Sequence, residues 1–201
     1  MNRIENKRLY TPKLRVKFIG LAIPYFFNDA DLKGQYSVTC LGSPEELGGW
    51  MDDMKAIRED LISQQVAQEG KKKMPEDDFG LWVDEKDKDT DEPTGMIQIK
   101  FKHNARGFNA KTGSKWDIKA VVVDALGKPL DKEMVAKVGR GSVVKVCFNQ
   151  VAYVVKGKVG TKFELVATQL IKPEWFVPNS REDAFEGQVE EGFSVEEGCE
   201  F

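Results

Sequence analysis

Little in this chain suits metal or redox chemistry. It has one histidine, His103, and three cysteines, Cys40, Cys147 and Cys199, with no Cys-x-x-Cys spacing among them. An odd, widely spaced set implies no disulfide framework and a reducing compartment, and a single imidazole leaves a zinc site almost without ligands. No metal and no cofactor are expected. No run approaches the roughly 18 apolar residues of a membrane span. The first ten residues are polar and charged, unlike the apolar core of a signal peptide. The expectation is an intracellular, soluble protein with no membrane partner. What is present, 201 residues with 41% apolar content, suffices for one buried core with appendages.

A positive net charge is also missing. The formal charge of −3, taken alone, argues against nucleic acid, but its distribution argues the other way. Residues 180–201 hold eight acids and one base, whereas residues 1–179 hold 29 bases and 25 acids. Residues 95–162 alone carry fourteen Lys and Arg against four acids. A basic body with an acidic tail is the asymmetry of a protein that binds nucleic acid or charged partners.

Strand-like alternation coincides with that basic stretch. In 96–102, Ile97, Ile99 and Phe101 alternate with Gln98, Lys100 and Lys102, the pattern of a half-buried strand with a basic outer face. Residues 13–18 repeat it, with Leu14, Val16 and Phe18 expected inward and Lys13, Arg15 and Lys17 outward. Pro24, Asn28 and Asp29 then break the pattern, and a strand resumes over 34–41 with Lys33 just ahead of it. Ser43-Pro44-Glu45-Glu46 is a capping box with proline at the first helical position, although Gly48 and Gly49 make the start irregular. Trp50, Met54, Ile57 and Leu61 recur at helical spacing and predict one amphipathic helix to about Gln68, lying on the sheet. Further strands are expected over 115–124, 142–148, 151–155 and 163–171. In the first of these Trp116 shares parity with Ile118 and Val122 and is expected in the core. Short strands joined by Gly-containing turns, with one helix, predict a mainly β chain, either a small barrel or a two-sheet domain. An OB-fold barrel fits the size of residues 1–179, with a charged insertion at about 70–93 and an acidic tail at 180–201.

The insertion suggests two metal-dependent activities. Asp87-x-Asp89-x-Asp91 resembles the opening of a calcium loop, but Glu92 stands where glycine is needed and Gln98 where the closing glutamate is needed. Glu76 and Asp84, followed by Glu85-Lys86, loosely fit the acid-acid-lysine pattern of a small metal-dependent nuclease. That pattern is permissive, and a solvated charged loop explains the same residues.

Several runs follow one another at set spacing: Ile99-Lys100-Phe101-Lys102, Val121-Val122-Val123-Asp124, Gly127-Lys128, Gly139-x-Gly141-Ser142, Lys145-Val146, Val151-x-Tyr153 and Val159-Gly160. Their order and spacing resemble the single-stranded DNA-binding proteins of short-tailed phages, whose fold is an OB barrel. The resemblance implies a non-enzymatic, sequence-independent protein of DNA replication, recombination and repair. It also implies a homodimer, contacts with a replicative DNA polymerase and a helicase-primase, and a place in the cytoplasm of a bacterial host. Lys33, Lys102 and Tyr153 correspond to the family's DNA-contacting positions. Val155 stands where a tryptophan is found, and Phe148 stands opposite a tyrosine. With the other cations of the basic strands, the candidate DNA-binding set is Arg15, Lys33, Lys100, Lys102, Lys145, Phe148 and Tyr153. Stacking of bases on rings and pairing of phosphates with lysine would be the working interactions.

In the tail, acids alternate with Phe185, Phe193 and Phe201. The resemblance implies that such a tail recruits replication enzymes, which makes Glu196, Glu197, Glu200 and Phe201 the candidate partner-binding residues. It matches DNA in charge and offers rings in place of bases. Burying one Phe is worth only about 2 kcal/mol, but tethering supplies an effective concentration near the millimolar range. Such a tail competes with DNA and is displaced by it. An adaptor that works through this tail alone is the remaining alternative.

Overall fold

Five alternating strands of 8 to 15 residues make the frame of the fold. The computed structural model describes residues 7–28, 31–109 and 111–176. The tail candidates Glu196, Glu197, Glu200 and Phe201 lie outside the described residues. In chain order the elements are β1 (Leu9–Tyr10), β2 (Leu14–Tyr25), β3 (Gln35–Gly42), α1 (Pro44–Gln68), β4 (Val83–Lys86), β5 (Pro93–Asn104), β6 (Arg106–Phe108), β7 (Lys115–Asp117), β8 (Val122–Val123), α2 (Lys132–Ala136), β9 (Val143–Val155) and β10 (Lys158–Lys172).

Five of these strands form a ring. β2, β3 and β5 run as an antiparallel meander, and β9 and β10 form an antiparallel hairpin. β9 joins β2 through Leu14 opposite Val144, and β10 joins β5 in parallel, with Glu164 beside Lys102. The order β2-β3-β5-β10-β9, with its one parallel seam, is that of an OB fold. The two seams that close it are short, so the ring is partly open, as OB folds are. β1 extends it beside β9, β4 beside β5 and β8 beside β10.

The inner residues of the alternation make the core. Phe101, Phe148 and Phe163 meet with ring centroids 4.9 to 5.4 Å apart. Val16, Val38, Ile99, Val144 and Val146 surround them, fully buried. Aromatic pairs at this spacing add about 0.5–1.5 kcal/mol each beyond the area they bury. The Cys40 thiol lies in the same interior, and burial pushes its pKa up to about 12.

α1 lies on this ring through Leu47 and Met54, with Ile57 packed beside them, and Leu61 is buried further along the helix. Trp50 reaches Phe148, Phe163 and Trp82, and its Nε1 donates to the Tyr10 carbonyl at 3.1 Å. The capping box forms in full, with the Ser43 hydroxyl accepting from Glu46 N and the Glu46 carboxylate accepting from Ser43 N. Gly48, at φ 29°, breaks the helical path just after the first turn, which is the irregularity the glycine pair implied. A second helix, the short α2, is capped by Asp131 and adds Val135 to the core.

Three expectations are corrected. Residues 115–124 are not one strand: Ile118 N bonds the Ala105 carbonyl and Thr168 N bonds the Val121 carbonyl, so the two ends serve different partners, β7 with β6 and β8 with β10. Trp116 is therefore not in the core and is 53% exposed. Phe18 is 61% exposed instead of inward, because a register shift in β2 between Val16 and Phe18 changes which residue faces out.

Candidate nucleic-acid interface

The same alternation that buries Ile99 and Phe101 turns Lys100 and Lys102 to the outer wall of the ring, and burying Phe163 turns Lys162 outward from β10. The three lysines meet Tyr153, Val155 and the 79–83 segment around a groove of about 620 Å³. Neither Lys100 nor Lys102 forms an ion pair with a described residue, and Lys162 makes only a long contact, 3.8 Å, with Glu164 on its own strand. The Lys102 ammonium is half-buried, and its pKa is lowered first by that burial and then by the charges of Lys100 and Lys162. The groove therefore holds unneutralised positive charge.

Tyr153 forms one side. Its hydroxyl donates to Asp77 Oδ2. Burial first, then this hydrogen bond and the Asp77 charge, push its pKa up to about 12, with Arg58 opposing. Asp77 belongs to a strap that crosses the β9–β10 hairpin. Val159 N bonds the Pro75 carbonyl and Asp77 N bonds the Val159 carbonyl, each at 2.9 Å. Arg58 of α1 reaches Glu76 at 3.2 Å and Asp77 at 3.6 Å, and Lys158 pairs with Asp78 at 2.8 Å. Phe79, next in the chain, stands 73% exposed at the groove lip.

Lys100, Lys102 and Tyr153 are thus brought together, and other candidates are not. Lys33 is exposed on the β2–β3 arm, past the end of the ladder that pairs Ser37 with Lys102 and Gln35 with Asn104. Its backbone N–H is fixed by Asp31 Oδ1 at 3.0 Å. Arg15 is exposed on β2 opposite Leu41 and Val143, outside the groove. Lys145 lines a separate depression with Arg8, Tyr10 and Cys147. Phe148 is corrected outright: fully buried among Phe101, Phe163 and Trp50, it offers no face to a ligand.

Sequence reasoning missed Lys162 and Phe79 as groove residues and placed Phe18 inward. Lys162 was legible, since it alternates with buried Phe163 and Thr161. Phe18 sits across β3 from Lys100, both facing Thr39 in the ladder, and only the bulge puts it there. Val155, 56% exposed, lines the groove with an apolar surface where the family resemblance points to a ring.

The insertion is less of a loop than expected. Asp84 is paired with Ile97 in β4, Glu85 is buried and bonded to Lys17 at 3.2 Å, and Glu76 is held by Arg58. Among the described residues no three His, Cys, Asp or Glu converge as a metal would require. Asp87 Oδ1 instead accepts from the backbone of Asp89 and Thr90, closing a turn on itself. Three clustered cations beside one anchored ring suit a polyanion that carries flat groups.

The fold is that of solved phage single-stranded DNA-binding proteins. The structure of gp2.5, a single-stranded DNA-binding protein encoded by bacteriophage T7, matches 94% of this chain and 98% of its own with a TM-score of 0.66 and 23% identity. The single-stranded DNA-binding protein of bacteriophage Enc34, in complex with ssDNA, matches 87% of this chain and 94% of its own with a TM-score of 0.61 and 14% identity. The same Enc34 protein in another structure matches 92% and 97% with a TM-score of 0.58 and 17% identity. These likenesses establish the fold. No protein-family model and no curated protein matches the chain by sequence.

Proposed function

We propose that this protein binds single-stranded DNA without sequence preference in the groove of Lys100, Lys102, Lys162 and Tyr153. One observation carries the reading: three lysines, two of them with no ion pair among the described residues, converge beside a tyrosine whose ring is fixed. They do so on the strand face and hairpin that OB folds use for oligonucleotides. Phosphates neutralise the lysines and relieve their mutual repulsion, while Tyr153 and Phe79 stack on bases of any identity. The Enc34 neighbour, in complex with ssDNA, supports the assignment. The setting is phage DNA replication, recombination and repair in a bacterial cytoplasm. The acidic tail competes with DNA, exchanges between the subunits of a homodimer, and when displaced recruits the replicative polymerase and helicase-primase.

Fluorescence titration of the full chain with oligo(dT) over a salt series tests this. Binding should weaken with a slope of about −2 in log K against log salt, for three phosphates at about −0.7 each. Lys102→Met should lose about tenfold in affinity while its thermal midpoint holds or rises, because a cation crowded by Lys100 and Lys162 is gone. No binding at low salt, or a salt-independent affinity, refutes the assignment.

A further inference from the structure

Rings and cations gather a second time, on the β6–β7 hairpin. Gly107 and Trp116 face each other across it, and the indole lies so close to Gly107 that a Cβ there would overlap it. One face of the ring rests on backbone, yet the residue is 53% exposed. Such a ring loses little freedom when a second flat group stacks on it. Lys111, Lys115 and Lys119 are exposed on the same segment and form no ion pair with a described residue. Its acid, Asp117, is engaged by Arg106 at 3.1 Å. The Arg106 guanidinium also lies 4.9 Å over the Phe26 ring, which ties the hairpin to the β2–β3 arm.

The hairpin continues the groove's own strand. Ala105 separates β5 from β6, its N–H bonded to the Gly34 carbonyl at 3.1 Å and its carbonyl to Ile118 N at 2.7 Å. From Lys102 to Arg106 an extended chain covers about 13 Å, a gap that a few nucleotides bridge. The charge around the ring favours a polyanion over an apolar protein partner.

We propose that the β6–β7 hairpin is a second stacking site for single-stranded DNA, with Trp116 as its platform and Lys115 and Lys119 as phosphate contacts. The inference rests on the groove binding the same strand, and it makes affinity depend on oligonucleotide length in two stages. The full chain and its Trp116→Ala variant are titrated with oligo(dT) of about 5 and about 20 nucleotides. Trp116→Ala should leave the short ligand unchanged and weaken the long one about fivefold or more, as loss of one stacked base implies. Trp116→Phe, which keeps a ring, should recover most of that loss, and Lys115→Glu with Lys119→Glu should flatten the salt slope for the long ligand only. An unchanged affinity for the long ligand, or equal losses for both lengths, overturns the proposal. So does a variant that changes sedimentation without changing DNA affinity, which would mark the hairpin as a contact between copies. Wild type that binds neither length removes the groove reading as well, a result distinct from losing the second stage alone.

Discussion

Tyr153 presents a ring whose hydroxyl is committed to Asp77, so the phenol is kept neutral and the ring kept in place. Its folded pKa of about 12 lies above the ordinary tyrosine value of 10.0. The stabilisation this implies is fully present below pH 10 and is lost as the pH rises through 12. Asp77→Asn removes the charge and weakens the acceptor while keeping the shape. Tyrosinate absorbance should then show one phenol ionising earlier in the variant than in the wild type, while an unchanged titration would mean that burial alone sets the value. At this scale the sequence was partly readable. Lys100 and Lys102 followed from strict alternation with Ile99 and Phe101. Phe148 alternates in step with Val144 and Val146, so its own neighbours place it inside, and the family correspondence pointed the wrong way. Phe18 obeys the same alternation in sequence and escapes it in space, because one extra residue in β2 reverses the facing of the residues beyond it.

The strap over the β9–β10 hairpin is the element that turns a charged insertion into part of the site. Its backbone bonds to Val159 and its ion pairs to Arg58 and Lys158 hold Asp77 over Gly160, where a Cβ would collide with the carboxylate. Gly160→Ala should lift the strap, lower the thermal midpoint, and speed proteolytic cutting within 74–80. A variant as stable and as resistant as wild type would show that Asp77 simply swings aside. None of this was visible in the sequence, since the polar composition of 70–93 reads as solvated chain and Val159 lies far along the chain from it. The Trp116 expectation failed for a related reason. Counting parity from Ile118 to Val122 assumes one continuous strand, and the backbone bonds of Ile118 and Thr168 divide it. The helix, by contrast, announced itself through Ser43, Glu46 and the spacing of Met54 and Leu61.

At the scale of the molecule, the sequence contains two opposed charges. Deleting 180–201 removes eight acids and one base and leaves a chain with net positive charge. If the tail competes for the groove, the truncated protein should bind oligo(dT) more tightly, with the gain shrinking as salt rises. Equal or weaker affinity in an anisotropy titration would contradict that competition. The mainly β class was legible from strand count and turn glycines and the OB fold from size and the family resemblance, but which strands close the ring was not, because closure joins residues far apart in the chain. That closure also sets a schedule. Lys100 and Lys102 leave the ribosome on β5, yet Tyr153 and Lys162 arrive only on the β9–β10 hairpin. A nascent chain therefore has cations but no groove until β10 docks beside β5, a non-local step that joins Glu164 to Lys102 and carries a loop-entropy cost. The proposed groove is thus assembled only once the β9–β10 hairpin has been made and docked.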